Sequence, residues 1–477
     1  MPDSEQFYIN GSWVAPHGTA KFDVVNPATE DVCAVISLGE QEDVDHAVRS
    51  ARDAFESWAQ TDAKQRIELL ENLAAIFERR QDEMARTISM EMGAPIDLAK
   101  GPQVAIALRH IKTFVDVLRN YAFEHPLTPD RERDHIIREP IGVSALITPW
   151  NWPMNQIAQK VGAALAAGCT CILKPSEVAP LSAMLLAEFI DEAAFPDGVF
   201  NLVNGNGPGV GAALSKHPDI RMISLTGSGR AGQAITETAA PTFKRVVLEL
   251  GGKGANIVFA DSDYRQAVAK GTKQCFNNSG QTCNAPTRML VERSCFDEAV
   301  KIAAQTARET DIDAPDKSGA HIGPLALRPQ YDKVQAMIQS GLDEGARLVA
   351  GGAGRPEGIT RGYYVRPTVF ANVTPDMRIF REEIFGPVLA MTPFDTEEHA
   401  IALANNCDFG LTNYIQTGDP DKARRLARKL QSGMVIVNDA ARAPTSPFGG
   451  VKHSGNGREG GIWGLEEFLE IKSISGW

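Results

Sequence analysis

Apolar and polar positions change their period twice along this chain. Over residues 7–36, short strand-like pieces (Phe7-Tyr8-Ile9 and Phe22-Asp23-Val24-Val25) alternate with glycine, proline and asparagine turns. Helical spacing follows over about 41–59. It resumes over about 63–92, where Ile67, Leu70, Leu73, Phe77, Met84 and Ile88 fall near one face, with Met90 and Met92 read as core. A third helix is predicted over about 102–123. Residues 124–140 differ: Arg131, Arg133, Asp134, His135, Arg138 and Glu139 crowd between Pro126, Pro129 and Pro140. That pattern suits a solvated hairpin or an arm reaching a neighbouring subunit, and by itself leaves both open.

From Gly142 onward strands and helices alternate. The pattern predicts strands at 143–148, 170–173, 199–203, 222–225 and 245–248, with helices at 154–167, 180–194, 208–217 and 230–239. Repeated strand–helix–strand units of this length imply an α/β fold with a parallel sheet covered on both faces. Such sheets bind dinucleotides at the carboxyl ends of their strands. Asn151, Lys174, Gly205, Gly227 and Glu249 each fall just past a predicted strand. Beyond Gly254 a second alternating block begins, with strands at 288–291, 347–350, 368–370, 388–391, 413–416 and 434–437. Its helices are expected at 297–309, 330–344, 397–404 and 420–430. Two α/β lobes therefore meet near Leu250-Gly251-Gly252, and interdomain clefts commonly hold the chemistry.

Three segments carry that chemistry. Asn277-Asn278-Ser279-Gly280-Gln281-Thr282-Cys283-Asn284-Ala285-Pro286 is a polar loop with a thiol near its centre, placed to approach a substrate rather than to fill a core. Glu249 stands between two leucines and ahead of two glycines, a setting with few ordinary structural uses for an acid. Pro149-Trp150-Asn151-Trp152-Pro153 fixes an amide between aromatic and proline neighbours. Nucleophile, base and oxyanion donor suffice for covalent catalysis at a carbonyl carbon. The run Leu225-Thr226-Gly227-Ser228-Gly229-Arg230-Ala231-Gly232 predicts a strand, a glycine turn and a helix N-terminus suited to phosphate, although it is not the GxGxxG fingerprint.

Composition narrows the class. At 477 residues the chain exceeds one hydrophobic core, which agrees with two lobes. A formal net charge of -12 argues against nucleic acid or an anionic membrane as the main partner. Seven scattered cysteines suit free thiols in a reducing compartment. Cys169-Thr170-Cys171 has no second Cys/His pair at ligand spacing, so strand packing and no metal is the expectation. The polar, acidic start and the lack of a bilayer-length apolar run predict a cytoplasmic protein.

Taken together and in order, the motifs resemble those of the aldehyde dehydrogenase superfamily over essentially the whole chain. They are Pro149-Trp150-Asn151-Trp152-Pro153, Lys174-Pro175-Ser176-Glu177, Gly227 to Gly232, Glu249-Leu250-Gly251-Gly252-Lys253, Gly280-Gln281-Thr282-Cys283, Glu382-Glu383-Ile384-Phe385-Gly386-Pro387 and Ser446-Pro447-Phe448-Gly449-Gly450. The resemblance implies a Rossmann-type cofactor domain from 1–123 and 141–249, a catalytic domain from 250–450, and an oligomerisation arm from 124–140 and 466–477. It implies Cys283 as nucleophile, Asn151 as oxyanion donor, Glu249 as activator of the hydrolytic water, and Lys160 and Glu459 as a proton path. It further implies cofactor contacts at Trp150, Lys174, Ser176, Glu177, Gly207, Gly211, Thr226, Gly227, Ser228, Gly232, Leu250, Glu383 and Phe385. A carboxylate at Glu177 would repel a 2′-phosphate, which favours NAD. Lys174 tolerates either cofactor and Arg230 adds positive charge, so NADP stays open. A homodimer or homotetramer acting on a small-molecule aldehyde is implied.

The substrate channel is expected along Trp152, Gln156, Gln159, Thr282, Phe448 and the loop Asp439 to Pro444. Arg442 in that loop would either pair a distal carboxylate of an ω-oxo acid or simply face solvent. Three rival readings share the scaffold. CoA-acylating relatives usually lack the glutamate matched by Glu249, a nucleotide-independent thiol esterase would leave the Gly227 turn, Glu177 and Glu383 without work, and a non-catalytic protein would need none of these groups.

Overall fold

A computed structural model describes residues 3–477. Five parallel strands form the centre of the first sheet, in the spatial order Phe200–Leu202, Cys171–Lys174, Ser144–Ile147, Met222–Thr226 and Arg245–Glu249. Ser144–Ile147 is the first of these in the chain but the third in space. The order therefore reverses between it and Met222–Thr226, and the crevice beyond that switch point is where such sheets bind ligands. Phe7–Ile9 and Ser12–Val14 add antiparallel strands at one edge, and Gly455–Asn456 joins the other.

The central strands are largely apolar because helices cover both faces. Pro153–Ala167 lies so deep that Asn155 is its only residue not buried. Its alanines and Gly162 allow close approach: a Cβ at Gly162 would stand 2.8 Å from the ring of Phe114 on the helix Val104–Asn120.

A second sheet runs Arg347–Ala350, Thr368–Ala371, Val388–Phe394, Arg288–Glu292, Ala255–Val258, Thr412–Gln416 and Met434–Val437, parallel except for its first pair. The chain crosses from the first sheet to the second between Glu249 and Ala255. The charged stretch after residue 123 forms the strands Glu124–Pro126 and Asp134–Pro140. The latter pairs antiparallel with Leu469–Ser475, from Leu469 opposite Pro140 to Ser475 opposite Asp134. Ile471 and Trp477 remain exposed there.

Several elements differ from their sequence expectation for local reasons. The helix expected over 63–92 is two helices, Ala63–Arg79 and Gln81–Met92. Arg80 leaves helical geometry at φ -104° and ψ 15°. Its guanidinium bonds Glu83 and Glu188 and lies 4.6 Å from the centre of the Phe189 ring. The third helix begins as the π turn Ala99–Gln103, since Pro102 has no N–H to donate, and continues as Val104–Asn120. The helix expected over 208–217 likewise opens as the π turn Gly207–Gly211 before Ala212–Lys216. Ala255–Val258 and Tyr264–Phe276 are elements the pattern did not single out. Among the described residues, no helix is long and apolar enough to cross a membrane.

Candidate active site

The strand Ser144–Ile147 ends at the switch point, and the turn after it carries Trp150, Asn151 and Trp152. The Asn151 amide donates to the carbonyl oxygen of Gln281 at 2.9 Å, and the Asn151 carbonyl accepts from the Asn278 amide at 2.8 Å. The Trp152 indole donates to the Thr282 hydroxyl at 3.0 Å. Two segments far apart in the chain are thus bound together on both sides of Asn151. The thiol loop owes its shape to three successive left-handed residues, Asn278 (φ 51°), Ser279 (φ 56°) and Gly280 (φ 74°). Gly280 could be nothing else, because a Cβ there would sit 2.1 Å from the Gly386 oxygen. Gln281 locks the loop from inside by accepting from the backbone N–H of Ala326 at 2.8 Å.

Cys283 emerges from this loop where two cavities meet. One, about 220 Å³, is lined by Trp150, Asn151, Thr226, Gly227, Ser228, Leu250, Glu383 and Phe385. The other, about 340 Å³, is lined by Trp152, Gln159, Thr282, Arg442 and Phe448. Only Cys283 and Gln156 line both. Sequence reasoning missed Gln330 and Lys333 on the first side and Arg109, His110, Asn155 and Gln274 on the second. Arg109 and His110 had a weak signal, since helical spacing sets them beside Ile106, which lines the same cavity.

Burial, and then the carboxylates of Glu249 and Glu383, push the Cys283 thiol up to about 12. A thiol raised this far would need a base to act as a nucleophile. Glu249 is 2% exposed, and neither of its oxygens has a hydrogen-bond partner among the described residues. Burial, reinforced by Glu459 and opposed by Lys160, holds its carboxyl well above the usual range. The Lys160 ammonium, fully enclosed, donates to the Ser224 hydroxyl at 2.8 Å and to Glu459 at 2.5 Å. Backbone bonds in both directions join Glu459 to Phe448, linking this buried chain of charges to the wall of the larger cavity. Ser224 is a partner that sequence reasoning did not name.

Of the residues expected to hold a dinucleotide, Trp150, Thr226, Gly227, Ser228, Leu250, Glu383 and Phe385 surround the smaller cavity, whereas Lys174, Ser176, Glu177, Gly207, Gly211 and Gly232 do not line it. Lys174 ends its strand buried, with its ammonium 2.7 Å from the Pro175 oxygen and 3.6 Å from Glu177. Ser176 accepts from the Val178 N–H at 3.3 Å, and Gly211 faces the Lys174 stem. Gly207 opens the π turn beyond the strand Phe200–Leu202, with open space where a Cβ would stand. A Cβ at Gly232 would come within 2.9 Å of Leu250, which itself lines the smaller cavity.

Ser228 caps the eleven-residue helix Gly229–Ala239, whose first N–H groups point to the crevice end. Glu383 accepts from the Gly252 N–H at 2.9 Å, and a Cβ at Gly251 would stand 2.3 Å from Glu383 Oε2, so the two glycines form a cradle that only bare backbone fits. Trp150 meets the Phe385 ring edge-on at 5.5 Å, and Gln330 fixes that segment by donating to the Ile384 and Phe385 oxygens. Capped helix, glycine cradle, carboxylate and paired aromatic rings are chemically suited to a dinucleotide.

On the larger side, Arg442 is exposed. It donates to the backbone oxygens of Ser446 at 3.0 Å and Pro447 at 3.3 Å, and its guanidinium lies 5.2 Å from the centre of the Phe448 ring. The structure thus gives it both a place on the cavity wall and a role bracing its loop.

Comparison with known proteins identifies the family and the fold. The family model described as "Aldehyde dehydrogenase family" matches residues 13–474. A Pseudomonas protein, 3-succinoylsemialdehyde-pyridine dehydrogenase, is 52% identical across 100% of this chain and 99% of its own. The crystal structure of an aldehyde dehydrogenase from Bartonella henselae superposes with a TM-score of 0.99 at 55% identity, covering 100% of both chains. Aldehyde dehydrogenase C of Pseudomonas syringae, solved as a mutant with NAD+ and octanal, gives 0.98 at 48% identity, covering 100% of this chain and 98% of that one. Fold, motif order and full-length similarity agree, and the chain belongs to the aldehyde dehydrogenase family.

Proposed function

We propose that the protein oxidises an aldehyde to its carboxylic acid through a covalent adduct on Cys283, with NAD as hydride acceptor. The observation that carries this reading is the position of Cys283 at the junction of the two cavities, open to an aldehyde from one side and to a dinucleotide from the other. The sulfur adds to the carbonyl carbon as Glu249 takes its proton, giving a thiohemiacetal oxyanion, and the thiol regains a proton when the C–S bond later breaks. The Asn151 amide has two N–H groups, one committed to Gln281 and one left for the developing oxyanion. NAD, held by the residues around the smaller cavity, would supply the hydride acceptor that lets this adduct become a thioester. Glu249 removes a proton from water, the hydroxide adds to the thioester carbon, and the acid leaves as the C–S bond breaks. Lys160 and Glu459 pass the proton outward along their buried pair. The sum is aldehyde, NAD and water going to carboxylic acid, NADH and a proton.

Glu177 beside Lys174 supports NAD over NADP, since its carboxylate opposes a second phosphate. The relatives named above act on or bind a pyridine-bearing semialdehyde and octanal, which share the aldehyde group, and that shared group is what carries over to this chain. The strand Leu469–Ser475, paired to Asp134–Pro140 and bearing exposed Ile471, is the surface we assign to self-association as a dimer or tetramer. The decisive experiment is NADH formation from a panel of aldehydes, with and without CoA, by wild type and Cys283→Ala. Turnover without CoA by wild type, with none in a variant that still binds NAD, supports the reading. CoA dependence, or NADH formation without the thiol, overturns it.

A further inference from the structure

We infer that the larger cavity selects aldehydes whose tail carries a hydrogen-bond-accepting oxygen, as a carboxylate or a ketone, and that Arg442 is the donor that reads it. This rests on the aldehyde-oxidising reading of Cys283 and specifies its substrate.

The walls of that cavity are rich in donors and carry no carboxylate: no Asp or Glu lines it, while Arg442, Arg109 and the amides of Gln159 and Gln274 do. The groups that could compete as acceptors are partly used up. Asn155 Oδ1 is engaged by the His110 ring at 2.7 Å. That ring stays uncharged, its pKa pushed down to about 4 by burial and by Arg442 and Arg109 nearby, so it is a neutral neighbour and not a third cation.

Arg442 is pre-organised. One terminal nitrogen is tied to the Ser446 and Pro447 oxygens and the guanidinium carbon lies over the Phe448 ring, which leaves Nε and the other terminal nitrogen with no hydrogen-bond partner among the described residues. It forms no ion pair there, and neither does Arg109. A guanidinium tethered over an aromatic ring with donors to spare suits a planar oxygen acceptor. A plain alkyl tail would cover these donors and satisfy none of them. A site built to bond a polar group discriminates strongly against the analogue that lacks it.

The competing explanation is that Arg442 only braces its loop, and a ratio between substrates separates the two. We would measure kcat/KM by NADH absorbance for three aldehydes of matched length, ending in a carboxylate, an aryl ketone or an alkyl group. The enzymes would be wild type, Arg442→Met and Arg442→Lys. The expected result is a wild-type preference of roughly tenfold or more for the oxygen-bearing tails, abolished in the methionine variant and partly restored by lysine. Loss of preference for the carboxylate alone assigns a charged acceptor, and loss for both assigns oxygen in general. A wild type that handles the alkyl aldehyde equally well overturns the inference, as does a methionine variant whose three values fall in step. Absence of NADH from every aldehyde would instead sink the underlying reading.

Discussion

The side-chain amide of Asn151 donates a 2.9 Å hydrogen bond to the carbonyl oxygen of Gln281, 130 residues further along the chain and two before the thiol. The bond fixes the donor relative to the nucleophile before any substrate arrives. Asn151→Asp keeps the shape but replaces a donor with an acceptor facing that carbonyl. We expect kcat to fall about 100- to 1,000-fold, the loss typical of one oxyanion donor. NAD affinity, followed by quenching of tryptophan fluorescence, should change little.

Glu249 gives a pH signature. Burial holds its carboxyl well above the ordinary range, so the protonated, inactive form predominates at low pH and the base appears as pH rises through its folded value. The rate of thioester hydrolysis should climb with pH over a range higher than that of an ordinary carboxylate. Glu249→Gln should lose that limb and release one equivalent of NADH per site before stalling. Stopped-flow absorbance across a pH series tests both points.

Removal of one member of the buried Lys160–Glu459 pair strands the other. Lys160→Met should cost about 3–5 kcal/mol of stability. Adding Glu459→Gln to that variant should recover part of the loss, because no uncompensated charge then remains. Urea unfolding of wild type, both single variants and the double variant measures this, and additive losses would show that the pair is not coupled.

Gly251→Ala drives a methyl group into Glu383, itself pinned by the Gly252 N–H. The expected effect is a rise in KM for NAD and a slower hydride step. Cleavage of a small activated ester by Cys283, which needs no nucleotide, should be largely spared. Parallel dehydrogenase and esterase assays distinguish damage to the cradle from damage to the thiol loop.

The first lobe was largely legible because its strands and helices carry unbroken apolar patterns punctuated by glycine and proline, and because Asn151, Gly227 and Glu249 follow those strands directly. Boundaries failed where one side chain outweighed the pattern: Arg80 breaks a continuous helical period to bond Glu83 and Glu188, and Pro102 falls inside the π turn Ala99–Gln103. Other gaps were matters of tertiary placement. His110 and Arg109 sit on an ordinary amphipathic helix, and nothing local shows that its polar face meets a cavity floored by a loop more than 170 residues away. The capacity of Gly232 to pack on Leu250 was hidden in the same way, since a glycine near a phosphate turn and a glycine under a leucine look alike in one dimension.

The interlock between Gly280 and the Gly386 carbonyl has a consequence for how this enzyme can diverge. Cys283 stands three residues beyond one glycine, and the Phe385 ring stands one residue before the other, so the backbones that aim them are in direct contact. Drift in either segment would detune hydride transfer and carbonyl attack together. The helix bearing His110 meets its neighbour at Gly162 through the Phe114 side chain and not through backbone, and the loop bearing Arg442 is braced by the arginine's own side chain. New substrate ranges should therefore arise by substitution on that freer bank of the crevice, while the clamped bank stays as it is.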